Sequence, residues 1–273
     1  MLAALIIVFR EVLEAGLVVG VVLAATRGIA GRAKWIALGI GSGVVGACLV
    51  ALFAEQIASL FKGSGQELLN AAVLLTATLM LVWHNTWMAG HGRELANEIK
   101  AVGMEVVAGR RSLTALAIVC GVAVLREGAE VVLFLYGVIA AGGVTALDIA
   151  SGGALGVVAG CAISALLYLG LISIPLRYLF VSLTTLITLL AASLAAQAID
   201  FLQQAGWIEM WSAPLWNTSF LLSQDSIAGR MLHTLVGYTD QPNGMELSAF
   251  MAVILLVICL MRLAHGRTVA IAR

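Results

Sequence analysis

Residues 2–26, LAALIIVFREVLEAGLVVGVVLAAT, form an apolar run long enough to cross about 30 Å of hydrocarbon as a helix, yet Arg10, Glu11 and Glu14 stand in its middle. At 100° per residue these three side chains fall at about 0°, 100° and 40°, on one narrow stripe of that helix. A second apolar run, 112–140, carries Arg126, Glu127 and Glu130 in the same register. Each charge at bilayer depth costs roughly 2.5–3.5 kcal/mol on insertion scales. Such groups survive where they pair, face a wet cavity or bind something, so the two stripes are read as a site.

The rest of the chain agrees with a membrane setting. Of 273 residues 62% are hydrophobic and only 11% charged, against about 25% charged in ordinary soluble domains; the mean hydropathy is +1.05. Apolar stretches at 2–26, 35–56, 67–88, 112–140, 149–172, 176–203 and 246–264 predict seven transmembrane helices in an all-α polytopic protein forming a single membrane domain over 1–273. Helix is the expected structure because an isolated strand leaves backbone groups unsatisfied in lipid, and no alternating barrel pattern is present. Without a basic stripe interleaved with aromatics, nucleic acid is excluded as a partner. Cys48, Cys120, Cys161 and Cys259 lie in apolar runs without metal or redox spacing and read as small hydrophobes.

Eleven of the 15 basic residues fall in alternate connectors and the tail, whereas the opposite connectors hold only Lys62 and Arg230. This bias predicts an outer N-terminus and a cytoplasmic C-terminus. Eight carboxylates, including Glu55, Asp200 and Asp225, gather at or beyond the outer ends of the spans and make a mouth that attracts cations. Glu55, Asp200 and Asp225 are candidates for the path inward. His84, expected with His91 at or just past the cytoplasmic end of span three, reads as a hydrogen-bonded interfacial histidine or, more sharply, as an exit ligand. The connector 204–245, with Trp207, Trp211 and Trp216, is expected to form short surface helices that cap the outer mouth.

The two charged motifs are 116 residues apart, and Gly43-Val44-Val45-Gly46-Ala47-Cys48 resembles Gly156-Val157-Val158-Ala159-Gly160-Cys161 at an offset of 113. Duplication of a three-span unit, 1–90 and 112–203, follows, with 246–264 as a final helix. An odd number of spans reverses the second unit, giving the inverted repeats that bring a site to the midplane. The glycines of spans two and five permit close helix packing.

Each arginine reaches the glutamate four residues on, and the six groups sum to −2. Neutrality then requires a cation or protons. Carboxylate oxygens suit hard ions, and neither motif contains a cysteine for a soft one. Interhelical salt bridges in a membrane scaffold, or a proton relay without metal, are the competing readings; buried ion pairs alone serve stability poorly. No His-Glu-x-x-His sequence suggests an intramembrane protease.

With Arg-Glu-x-x-Glu in spans one and four, the chain resembles the oxidase-dependent iron transporter family of fungal and bacterial high-affinity iron permeases. The stretch Leu215–Ser226, followed by Gly229-Arg230, Leu232-His233 and Gly237-Tyr238, is similar to the outer connector of its bacterial members. The resemblance implies a permease of the bacterial inner membrane, not an enzyme. Glu11, Glu14, Glu127 and Glu130 would be metal ligands, with Arg10 and Arg126 as charge partners. Iron is implied as the transported substrate, ferric after oxidation by a separate extracytoplasmic partner, with no bound organic cofactor. Lead or another divalent cation, and proton-coupled cation transport, are the alternatives.

Overall fold

Arg10, Glu11 and Glu14 are at most 5% exposed, whereas Phe53 is 69%, Leu255 60% and Leu155 50% exposed. Charge inside and large apolar side chains outside is the burial expected when the surrounding solvent is hydrocarbon. The computed structural model describes residues 1–60, 66–142, 144–170, 176–224 and 226–271. Among these the chain forms eight helices: α1 (Leu2–Ala25), α2 (Arg32–Leu60), α3 (Gln66–Val107), α4 (Thr114–Ala140), α5 (Ala146–Tyr168), α6 (Leu176–Gln204), α7 (Ile227–Val236) and α8 (Gly244–Ile271). The chain is thus an all-α, multi-pass membrane protein.

Five helices, α2, α3, α5, α6 and α8, contain segments long and apolar enough to cross a bilayer. The remaining long helices are α1 and α4, each interrupted by one charged motif. Their ends lie within a few residues of the expected limits.

Two expectations are revised. Residues 89–111 look like a polar connector, but α3 runs on through them to Val107, 42 residues in all. At 1.5 Å per residue it is about 63 Å long, twice the hydrocarbon thickness. Its far half is anchored by Ile99 and Val106, which pack with Val22, Ile36, Leu116 and Cys120. In the connector 204–245 the described residues hold one helix, α7. Ser226 caps it by accepting from Gly229 N at 2.9 Å, and Gly237 ends it at φ +73°. The rest is irregular but tied down: Leu215 N donates to Pro242 O at 2.9 Å, Thr218 N to Asp240 O at 2.8 Å, and Tyr238 Oη to Leu222 O at 2.8 Å.

The helices pack in an exchanged pattern, α2 along α4 and α5 along α1. Glycine makes this possible. A Cβ on Gly43 would stand 2.7 Å from Gly121 O and Val124 Cβ, and one on Gly156 would stand 2.8 Å from Leu5 O and 2.9 Å from Val8 Cβ. Both glycines admit the backbone of the facing helix.

Two apolar clusters result. One joins Ile7, Leu81, Phe134, Ile187, Leu194 and Val257 from α1, α3, α4, α6 and α8. The other joins Val22 of α1 with Ile36, Ile99 and Cys120 of α2, α3 and α4. In α1 and α4 the charged motif falls between the residues given to the two clusters, so a polar layer is sandwiched between apolar ones.

Candidate metal site

The stripe on α1 is closed on itself. Arg10 Nη1 donates to Glu11 Oε1 at 3.0 Å, and Arg10 Nε lies 2.9 Å from Glu14 Oε1, the i,i+4 contact that helix geometry permits. The stripe on α4 is looser. Arg126 Nε is 3.2 Å from Glu130 Oε1 and 3.8 Å from Glu127 Oε1, and the side chain is 36% exposed. Its guanidinium also lies 4.8 Å from the centre of the Trp87 ring, which stacks on His91 at 5.2 Å. Two motifs of equal spelling therefore hold their arginines unequally.

The α1·α4 contact brings the two stripes to one place, and α3 adds a residue between them. His84, 2% exposed, turns Nδ1 to Glu130 Oε2 in a close contact and Nε2 to Glu14 Oε2 at 3.4 Å. Neither approach is aligned as a hydrogen bond, since Glu14 Oε2, Glu130 Oε2 and His84 Nε2 are all without one, as are Glu11 Oε2 and Glu127 Oε2. Buried polar atoms are ordinarily satisfied, and a cluster of five without a hydrogen bond makes this layer the candidate site. Next to His84, Asn85 Nδ2 donates to Thr188 Oγ1 at 3.1 Å and Thr184 O at 3.3 Å, fixing α3 against α6.

Glu11, His84, Glu127 and Glu130 each offer one ligand atom, and all four atoms lie within 4.8 Å of one another. With metal–ligand bonds of about 2.1 Å, ligands on opposite sides of an ion stand about 4.2 Å apart. Side-chain adjustments of roughly half an ångström would therefore suffice to close a coordination shell. Three carboxylates and an imidazole are donors for a first-row divalent or trivalent metal.

The structure thus brings together Arg10, Glu11, Glu14, Arg126, Glu127 and Glu130, with Glu14 beside rather than within the four-atom group. His84 belongs to that group, although the sequence places it at the cytoplasmic end of a span. The displacement follows from α3: with Trp87, His91 and the polar residues beyond still helical, His84 does not mark an end. Asp200 is elsewhere. Its carboxylate accepts from Gln204 Nε2 at 2.8 Å, 12 residues beyond Thr188, or about 18 Å along α6. Asp225 and the Glu55 side chain lie outside the described residues.

Residues 1–270 match the model of the iron permease FTR1 family. Relatives include the ferrous iron permease EfeU of Yersinia pestis, 28% identical over 290 residues, covering 100% of this chain and 99% of that protein. The ferrous iron permease EfeU of Escherichia coli O6:H1 is 28% identical over 256 residues, covering 92% of this chain and 91% of that one. That of Shigella sonnei is 28% identical over 254 residues, again covering 92% and 91%. No solved structure matches the chain significantly.

Proposed function

Because the chain belongs to the iron permease FTR1 family, a family of transporters and not of enzymes, we propose that it carries iron across the bacterial inner membrane through the buried Glu11, Glu14, Glu127 and Glu130 carboxylates. The observation that carries this reading is the convergence of both Arg-Glu-x-x-Glu stripes on one buried donor group, with unsatisfied atoms facing one another. The arginine ion pairs engage the Oε1 atoms and leave the four Oε2 atoms to other partners. A scaffold also has no need of four acids against two arginines in a space this apolar.

Seven spans in two inverted units, 1–90 and 112–203, are part of the proposal, with 204–245 as an outer connector and 246–264 crossing last. Support comes from paired contacts. Gly43 of α2 meets Gly121, Val124 and Leu125 of α4, while Gly156 of α5 meets Leu5, Val8 and Phe9 of α1. The glycines are 113 residues apart, and every partner is 116 residues from its counterpart, the spacing of the charged motifs. A two-fold rotation exchanging the units would produce this correspondence. The basic bias of alternate connectors supports an outer N-terminus and a cytoplasmic C-terminus. The apolar clusters on either side of the polar layer make this an occluded arrangement, so an ion would pass by repacking one cluster at a time.

Two oxidation states are supported by different observations. Ferric iron, formed outside by a separate oxidising protein, suits the hard oxygen donors. Ferrous iron suits the charge, since the four carboxylates and two guanidiniums of the motifs sum to −2, which one divalent ion cancels; the relatives' names point the same way. Uptake of radioactive iron into proteoliposomes, with the metal held ferrous by ascorbate or supplied as a ferric chelate, separates them. Glu11→Gln or Glu130→Gln should lower uptake at least tenfold while leaving folded protein in the membrane. Uptake by both variants at the unmodified rate refutes the carboxylate site. Absence of flux in every form, with altered helix association, would favour the scaffold.

A further inference from the structure

Resting on the reading of the glutamate cluster as an iron site, we propose that His84 is a direct nitrogen ligand of the transported ion and the residue that makes the site discriminate against calcium and magnesium. The two charged stripes contain only oxygen donors and guanidiniums, so α1 and α4 by themselves would build an all-oxygen cage. Such a cage is what Ca²⁺ and Mg²⁺ prefer, at six to eight oxygens for the first and an octahedron for the second. An imidazole changes the preference, because nitrogen suits first-row transition metals and contributes little to the hard alkaline-earth ions.

Position supports this role. His84 is contributed by a third helix, is 2% exposed, and spans the gap between the two stripes. Its Nδ1 side faces Glu130, a member of the four-atom donor group; its Nε2 side faces Glu14, which is not. Ligating histidines generally carry a carboxylate partner on the second nitrogen that fixes the ring. Glu14 is placed to be that partner, and Arg10 Nε, 2.9 Å from its other oxygen, holds it in turn. Asn85, the next residue, is bonded across to Thr184 and Thr188 and holds this turn of α3 against α6. Glu11, Glu127 and Glu130 then complete the shell with oxygen.

The test uses the full chain, purified in detergent without a histidine tag, and Co²⁺ alone as the probe. X-ray absorption at the cobalt edge should show the outer-shell scattering of an imidazole in the unmodified protein. In His84→Asp, which keeps a ligand but replaces nitrogen with oxygen, that scattering should vanish while cobalt remains bound. Calcium should then displace cobalt from His84→Asp at a concentration at least tenfold lower than from the unmodified protein. A bound cobalt with oxygen neighbours only, imidazole scattering that persists in His84→Asp, or equal calcium competition would each overturn the proposal and leave the carboxylate site standing. Failure of the unmodified chain to bind cobalt at all would instead undermine the iron site itself. Should His84→Asp not fold, the unmodified spectrum and His84→Asn carry the decision on the same criteria.

Discussion

Replacing Arg10 with methionine should destabilise the protein far more than replacing Arg126, although the two residues occupy the same place in their motifs. Arg10 is buried and makes two short contacts, 3.0 Å to Glu11 and 2.9 Å to Glu14. Removing one partner of a buried ion pair costs about 3–5 kcal/mol, because the remaining charges are left uncompensated. Here two carboxylates would be stranded, and the net charge of the six motif groups would fall from −2 to −3. Arg126 is 36% exposed and held less closely, with contacts of 3.2 and 3.8 Å, so fewer charges depend on it for compensation. Its one hydrogen bond to a carboxylate, Nε to Glu130 Oε1, is worth about 1.5 kcal/mol, and the contact with Trp87 adds about 0.5–1 kcal/mol. The expected ratio of the two unfolding constants, Arg10→Met over Arg126→Met, is therefore on the order of ten, from a difference of about 1–2 kcal/mol.

The assay is thermal or denaturant unfolding of both variants in the same detergent, followed by tryptophan fluorescence. A compensated variant sharpens it. Arg10→Met combined with Glu14→Gln restores the net charge to −2 and should recover part of the lost stability, but not iron uptake. Arg126→Met proving equally or more damaging, or the double variant proving no better than Arg10→Met, would refute the reasoning from burial.

Gly43→Val and Gly156→Val should each cost about 1–3 kcal/mol, since the new side chain meets carbonyl oxygens that cannot move aside; equal losses in the two are expected from the exchanged packing, and a neutral effect at either position would contradict it. Asn85→Ala removes two interhelical hydrogen bonds and should destabilise by about 1–2 kcal/mol, measured in the same unfolding assay. A site ion at 100 times its dissociation constant should stabilise the folded protein by about 2.7 kcal/mol. That gain, read as a rise in Tm with added Co²⁺, should be lost in Glu127→Gln.

The helices, their approximate ends and the six charged residues that gather at the site are legible in the sequence because each depends on short-range regularities. Apolar runs of span length identify helices, and the 100° step of the helix puts Arg10, Glu11 and Glu14 on one stripe without reference to anything else in the chain. The offsets of 116 and 113 residues are likewise visible in the sequence, and the proposed duplication rests on them. The polar composition of 89–111 misleads, since a helix can turn polar without ending, and α3 continues for a further 19 residues beyond Met88.

Tertiary structure alone decided the partners. His84 lies 70 residues from Glu14 and 46 from Glu130, and their meeting depends on how far α3 slides along α1, α4 and α6, a quantity set by the packing of Leu81, Ile99 and Asn85 and by no local pattern. The same holds for the unequal burial of Arg10 and Arg126. Periodicity fixes which side of a helix a residue occupies; only the crossing and depth of neighbouring helices fix what that side touches.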